Sequence, residues 1–249
     1  MSKKVHIITR TSGRPNFFKI CRSSVKQQTY NNINHIVVVD DAHKSPVRSK
    51  EVPWHVGNNY VQEYEGIQPI NIQWEDFKES TIPGKPFGAE QGLNYALEVI
   101  SEEDYFCILD DDDFFTSPKT IEIALDNIKD GDILFWQVYA ASAIVPDKNH
   151  MYGKSKSLPY GQVSMIGWLV KKSFIGNAKF NPIYGGDADF IKQITGGDVT
   201  TSNIKWLNGL YSATNPMRPQ GEGFCKDIDL QTALNGFKKR SEGFMYDIL

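Results

Sequence analysis

The sequence predicts an α/β fold, with a central, mostly parallel sheet flanked by helices. Strand and helix signals alternate through the first third of the chain. Two apolar runs, His35-Ile36-Val37-Val38-Val39 and Tyr105-Phe106-Cys107-Ile108-Leu109, are continuous rather than alternating, as in parallel strands covered on both faces. Both stop at acids, Asp40-Asp41 and Asp110-Asp111-Asp112-Asp113, where open α/β sheets place their ligands.

The elements follow in order. Residues 4–9 form a short β-branched strand. Residues 16–28 set Phe17, Cys21, Ser24 and Val25 on one helical face. With the strand at 35–39 they complete a βαβ unit, which requires a right-handed crossover. Residues 43–53 read as loop, 71–74 as a short strand and 84–86 as a turn. From Phe87 a helix carries Ala89, Leu93, Ala96, Leu97 and Ile100 on one face. The strand at 104–109 then runs into the four aspartates. Ser117-Pro118 marks a helix start, with Ile121, Leu125 and Ile128 facing inward. Strands are expected at 132–138 and 162–171, and a helix at 187–194. A Gly- and Pro-rich loop from Asn215 leads to a last helix at 229–239. No low-complexity linker interrupts the chain, so one domain is expected over 1–249. Its parts are two lobes (about 1–113 and about 114–214) and a mobile loop with a terminal helix (215–249).

Composition narrows the function. The 249 residues can bury a core without disulfide or metal staples. With 27 Lys+Arg against 30 Asp+Glu, the net charge of −3 offers no cation surplus for displacing phosphate counterions, so nucleic acid is a disfavoured partner. Three scattered cysteines make neither a disulfide framework nor a CxxC metal site. The N-terminal apolar stretch is too short for a signal peptide, and the run at 133–145 is too short and too polar for a transmembrane segment. A soluble, cytoplasmic protein is expected.

Four adjacent carboxylates repel one another by several kcal/mol at an effective dielectric of about 20. A divalent cation would relieve that conflict, and carboxylate oxygens suit Mn2+ or Mg2+. An EF-hand is excluded, because Phe114 and Phe115 occupy the places of its fifth ligand and its glycine.

Several segments together resemble a known family. Ile8-Thr9-Arg10-Thr11 with Pro15, the helix end Ser24-Val25-Lys26-Gln27-Gln28-Thr29-Tyr30, and Ile36-Val37-Val38-Val39-Asp40-Asp41 look like the start of a GT-A glycosyltransferase of the large inverting family 2. Gly88-Ala89-Glu90-Gln91-Gly92-Leu93-Asn94 is similar to that family's Gly-x-x-x-x-x-Asn helix. Leu109-Asp110-Asp111-Asp112-Asp113 matches its Leu-Asp-x-Asp-Asp metal motif, and Gly185-Gly186-Asp187-Ala188-Asp189-Phe190 is similar to its Glu-Asp-x-Asp-Phe segment. The set covers about residues 5–195 in the family's order. Two positions depart from it: Gly186 stands where many members have Glu, and Glu90-Gln91 where an Ala-Arg pair is frequent.

The resemblance implies a nucleotide-diphosphate-sugar donor, by family habit a UDP-sugar, and a hydroxyl acceptor such as a glycan. Carried over, Thr9, Arg10 and Thr11 line the nucleotide pocket, Asp40 or Asp41 reads the base, and Asn94 bonds base or ribose. Asp110 contacts ribose or a metal-bound water, Asp112 ligates Mn2+ or Mg2+, and Asp111 and Asp113 either assist or cap the following chain. Asp187 is the candidate general base, with Asp189 as the other choice. Trp136, Tyr160, Trp168, Tyr184 and Trp206 fall in the acceptor half, Trp168 and Tyr184 being nearest the expected site. Residues 214–224, with Arg218, would close over the donor or form a plain connector.

Two other readings share these elements. A sugar nucleotidyltransferase has a similar start, but its Gly-rich triphosphate loop is reduced here to the one glycine of Thr11-Ser12-Gly13-Arg14-Pro15. A non-catalytic carbohydrate-binding module has no chemical need of Asp110, Asp112 and Asp187. Protein or modified-DNA acceptors stay open, the latter through a basic patch such as residues 154–156 or Lys238-Lys239-Arg240.

Overall fold

A computed structural model describes residues 2–40, 57–72, 89–140, 143–147, 149–151, 154–159, 161–162, 164–183, 185–217 and 226–241. Asp41, Gly88, Tyr160, Tyr184, Arg218, Cys225, the 43–53 loop and the 84–86 turn lie outside the described residues.

The chain runs β1 (Val5–Thr11), α1 (Pro15–Lys26), β2 (Ile33–Asp40), a 3-10 turn (Asn59–Glu63), β3 (Ile67–Ile72), α2 (Ala89–Glu98), β4 (Tyr105–Ile108), β5 (Asp113–Phe115) and α3 (Thr120–Ile128). It continues through β6 (Ile133–Tyr139), β7 (Ile144–Val145), β8 (Trp168–Lys171), α4 (Gly186–Thr195), β9 (Ile204–Thr214) and α5 (Leu230–Arg240). Among the described residues the strands form one sheet in the order β3-β2-β1-β4-β8-β6-β9-β5, with β7 paired to β6. The half β3-β2-β1-β4 is parallel, as expected. Beyond it the sheet is mixed. β8 lies antiparallel to both β4 and β6, β9 runs parallel to β6, and β5 runs antiparallel to β9.

Helices cover both faces, which explains the continuous apolar strands. On one face Ile8, Ile36, Val38, Phe106 and Ile108 pack with Leu93 of α2 and Phe190 of α4. On the other, Val5, Ile7, Cys107 and Leu109 pack with Cys21 of α1 and Ile121 of α3. Successive strand residues point to opposite faces. Along β1, Arg10 therefore joins Ile8 on the α2/α4 face, while Thr9 and Thr11 follow Ile7 toward α1.

Three expectations about the elements need correction. The helix after Ser117-Pro118 begins only at Thr120, and the Ser117 hydroxyl accepts the Lys119 N–H at 3.2 Å instead of capping a longer helix. The strand expected at 162–171 shrinks to Trp168–Lys171, because Gly167 N–H turns back to the Ser164 carbonyl. The eleven-residue β9 was not expected at all. Its Asn208-Gly209 pair, with Gly209 at φ +84°, sits where the register against β6 shifts, and this breaks the apolar periodicity. No helix among the described residues is long and apolar enough to cross a membrane.

Helix α2 approaches the sheet through Gly92. A Cβ there would fall inside van der Waals contact of Ile72 Cδ1 and Val38 Cγ1. Alanine gains about 1 kcal/mol of helix propensity, but overpacking a filled core costs about 1–3 kcal/mol. Gly92→Ala should therefore lower the midpoint of urea unfolding; an unchanged or higher midpoint would show that the helix–sheet contact yields.

Beneath α1, the buried His35 shares a hydrogen bond with the Thr9 hydroxyl at 2.8 Å, and its Nδ1 has no hydrogen-bond partner among the described residues. Burial, with Arg22 nearby, lowers its pKa to about 3. Between about pH 6.5 and about pH 3 the unfolded histidine holds a proton that the folded one does not, so acidification favours unfolding. From about pH 7 to about pH 5 this one group should remove about 2 kcal/mol of stability. Urea titrations at the two pH values should show a shallower pH dependence for His35→Gln than for the parent chain; equal dependences would remove His35 as the cause.

Candidate active site

The carboxyl ends of β1 and β4 and the N-termini of α2 and α4 open onto a cleft of about 240 Å3, lined by Arg10, Glu90, Asp110, Asp113, Asp187 and Thr214 among others. The aspartate run reaches it through a turn. Leu109 N–H and Asp111 N–H continue the pairing with β1, donating to the Ile8 and Arg10 carbonyls, and Asp113 N–H then folds back onto the Asp110 carbonyl at 2.9 Å. At Asp113 the chain switches partner and pairs with Thr214 of β9. The four carboxylates consequently point to different places.

Asp110 faces the cleft and receives two parallel bonds from Arg10, Nε to Oδ1 at 2.7 Å and Nη2 to Oδ2 at 2.5 Å. This fork-to-fork pairing is the stronger, oriented kind of ion pair. Burial disfavours the Arg10 charge, but Asp110, helped by Glu90 and Asp187, more than offsets it and raises the pKa. Asp111 is fully buried beneath the cleft. It accepts bonds from Arg14 Nε at 3.1 Å, from Arg14 Nη2, and from the Thr11 hydroxyl at 2.8 Å. Tyr60 in turn donates to the Thr11 oxygen at 2.5 Å, and its own oxygen accepts Arg14 N–H at 3.2 Å. Burial pushes the Asp111 carboxyl up, while Arg14 pulls it down. Asp112 lies 3.6 Å from Arg14 Nη2 and is 5 % exposed, whereas Asp113 lines the cleft.

These positions correct the electrostatic expectation. Two arginines, rather than a cation alone, answer the crowded acids. Among the described residues no three His, Cys, Asp or Glu side chains are placed to cage a metal ion. Carboxylates at the cleft fit a cation that takes its remaining oxygens from a phosphorylated ligand and water.

Asp187 stands in the first turn of α4 and lines the same cleft as Arg10. Burial raises its pKa, while the Ala188 N–H (2.8 Å to Oδ1) and the Arg10 charge oppose the rise. Asp189, two residues on, turns away. It accepts Asn181 Nδ2 and Gln193 Nε2, both at 2.8 Å, and lines a separate cavity of about 250 Å3 with Lys192 and Ser157. It is therefore set aside as a base for this cleft.

Other expected residues are also placed elsewhere. Thr9 and Thr11 are buried on the α1 face, so only Arg10 of that trio reaches the cleft. Asp111 has no surface to offer a ligand. Asn94 is spent on α2–loop packing, its Nδ2 donating to the Phe180 carbonyl at 3.0 Å and its Oδ1 accepting Phe180 N–H at 2.9 Å. Asp40 is buried at the end of β2, where its carbonyl accepts Asn58 Nδ2 at 2.5 Å. Trp168 is core, edge-on to Phe106 and stacked on Phe190. Trp136 is buried with its indole N–H on Ser212 Oγ, and Trp206 stacks on Phe135. Arg240 of the basic run bonds the Ala140 carbonyl at 2.7 Å.

Glu90, Arg14 and the Asn58–Tyr60 clamp went unread as site residues. The signal for Arg14 was present: a lone cation in the loop after the first strand must face some part of a nearby acidic run if that run is buried.

The sequence matches no family model and no curated protein. Solved structures do resemble the fold. S. aureus TarS 1–349 in complex with UDP-GlcNAc superposes with a TM-score of 0.57 at 14 % identity, over 95 % of this chain and 71 % of that one. The mannosyltransferase PcManGT from Pyrobaculum calidifontis, in complex with GDP-Man and Mn2+, superposes with a TM-score of 0.57 at 14 % identity, over 87 % and 58 %. Another TarS 1–349 structure gives 0.56 at 15 % identity over 86 % of this chain, and the match spans only 61 % of that 1–349 chain. The fold is GT-A-like, as in these neighbours.

The Arg14–Asp111 pair supports the loop that presents Arg10. Removing one member of a buried pair leaves a bare charge and costs about 3–5 kcal/mol, whereas replacing both with apolar groups is often neutral. Arg14→Met should lower stability by about that amount in chemical denaturation, and Arg14→Met with Asp111→Leu should recover most of it. A double variant no more stable than the single one would deny the pairing this role.

Proposed function

We propose that the chain is an inverting glycosyltransferase that moves a sugar from a nucleoside-diphosphate donor, a UDP-sugar by preference, to a hydroxyl acceptor of the glycan class. The observation that carries this reading is that Asp187 lines the same cleft as the Arg10–Asp110 pair. In an inverting transfer the leaving diphosphate and the attacking oxygen lie on opposite sides of the anomeric carbon, and a base must sit on the attacking side. Asp187 accepts the proton of the acceptor hydroxyl. That oxygen forms the new bond to the anomeric carbon as the bond to the diphosphate oxygen breaks, and the diphosphate keeps the electron pair. Arg10, held rigid by Asp110, is aimed at the developing negative charge without needing to reorganise.

Mn2+ or Mg2+ would be held by Asp113 together with Asp110 and would stabilise the departing diphosphate. This moves the expected metal contact from Asp112, beside Arg14, to its neighbour on the cleft wall. The TarS and PcManGT complexes, with UDP-GlcNAc and with GDP-Man and Mn2+, support the donor class and leave the base of the nucleotide to experiment.

The test is a thermal-shift panel of nucleoside-diphosphate sugars, with and without Mn2+, followed by turnover measurements on Asp187→Asn. At least one sugar nucleotide should raise the melting temperature. The variant should keep that response while losing about 10²–10⁴-fold in transfer rate. A chain stabilised by no member of the panel is not such an enzyme, and a variant with near-normal turnover excludes Asp187 as the base.

A further inference from the structure

Glu90 is an unexplained group in the cleft. It stands in the first turn of α2 and is 8 % exposed. One carboxylate oxygen lies 3.6 Å from Arg10 Nη1, too far for a hydrogen bond, and the other is buried with no hydrogen-bond partner among the described residues. Leaving such an oxygen unsatisfied costs about 1–3 kcal/mol or more. Arg10 is already engaged in a two-bond pair with Asp110, so neutralising that guanidinium does not account for a second carboxylate.

The start of α4 adjoins it. Gly186, at the start of α4, is buried against the Asn181 carbonyl, and a Cβ there would come within 2.9 Å of that oxygen and 3.9 Å of Glu90 Cγ. The Asn181 carbonyl, not Glu90, is what a side chain at 186 would crowd; the Gly186–Glu90 approach is an ordinary contact. The carboxylate on α2 thus neighbours both Arg10 and the start of α4 on one cleft wall.

From this placement we infer that Glu90 is a donor-specificity residue, its carboxylate accepting a hydrogen bond from a hydroxyl or amide N–H on the transferred sugar. The inference rests on the transferase reading: with the diphosphate toward Arg10 and the acceptor at Asp187, the sugar ring is what lies between them. A carboxylate in this place excludes sugars that present a carboxylate or only apolar edge there, and it binds ring hydroxyls and N–H groups.

The experiment compares the full chain with Glu90→Ala and the near-isosteric Glu90→Gln by calorimetry in Mn2+. The probes are UDP and GDP and a set of their sugars that includes UDP-GlcNAc and GDP-mannose. For any sugar nucleotide the parent binds, Glu90→Ala should lose about tenfold in affinity while binding of the matching free diphosphate stays unchanged. Glu90→Gln, which keeps the volume and a neutral acceptor, should show the same selectivity with a smaller loss. If Ala disrupts folding, the Gln variant alone decides. Equal losses for sugar nucleotide and free diphosphate would mean that Glu90 only positions Arg10, and no loss for either would leave it without a ligand; both overturn the inference while the transferase reading stands. A parent chain that binds no sugar nucleotide overturns both.

Discussion

Two arginines from one short segment meet two successive aspartates from another, and the rest of the site depends on that meeting. Arg10 and Arg14 flank the turn between β1 and α1, and Asp110 and Asp111 open the turn between β4 and β5. One pair is in the cleft and the other directly beneath it. The buried pair has a structural consequence that the exposed one cannot have. Asp111 is wholly enclosed, and its charge is tolerable only while Arg14 and Thr11 hold it. Tyr60 and Asn58 fasten the same loop from the other side, through Thr11 and Gly13 N–H. The loop that presents Arg10 is therefore fixed from below before any ligand arrives, which is the preorganisation that electrostatic stabilisation of a leaving group requires.

The parallel half of the sheet was legible because its strands are buried on both faces and so read as unbroken apolar runs. β9 was not legible: Asn208, Gly209 and the register shift against β6 hide an eleven-residue strand. The cleft was partly legible for the same kind of reason. Arg10, Asp110 and Asp187 could be named because each sits at the end of an element with a clear pattern. Thr9, Thr11 and Asp111, consecutive with or adjacent to cleft residues in the motif, are buried away from the cleft, because a strand sends alternate residues to opposite faces and a tight turn sends each in its own direction. Asn94 shows a different limit. A polar residue at the right helical position can be taken up entirely by a neighbouring backbone, and only the packing of residue 180 reveals it.

The two departures from the family pattern, Glu90 and Gly186, line the same cleft. One is a missing acid on α4 and the other an unusual acid on α2. The demand for glycine at 186 comes from the Asn181 carbonyl, 2.9 Å from where a Cβ would lie, whereas Glu90 Cγ at 3.9 Å would be in ordinary contact. The two positions are neighbours in space, and substitutions at neighbouring positions are commonly coupled in their effects.

The charge of the cleft constrains what can fill it. One guanidinium, already committed to Asp110, faces three further carboxyl groups in Glu90, Asp113 and Asp187. A diphosphate entering this wall unaccompanied would add like charge to a partly buried acidic site, where repulsion is poorly screened. Uptake of protons by the carboxyl groups would relieve the repulsion but would remove the base that the proposed transfer takes from Asp187. A divalent cation arriving with the diphosphate relieves it and leaves Asp187 ionised. The acids therefore favour a cation not because four of them crowd one point, as the sequence alone suggested, but because the two arginines stop short of neutralising the wall on which the proposed anionic donor would bind.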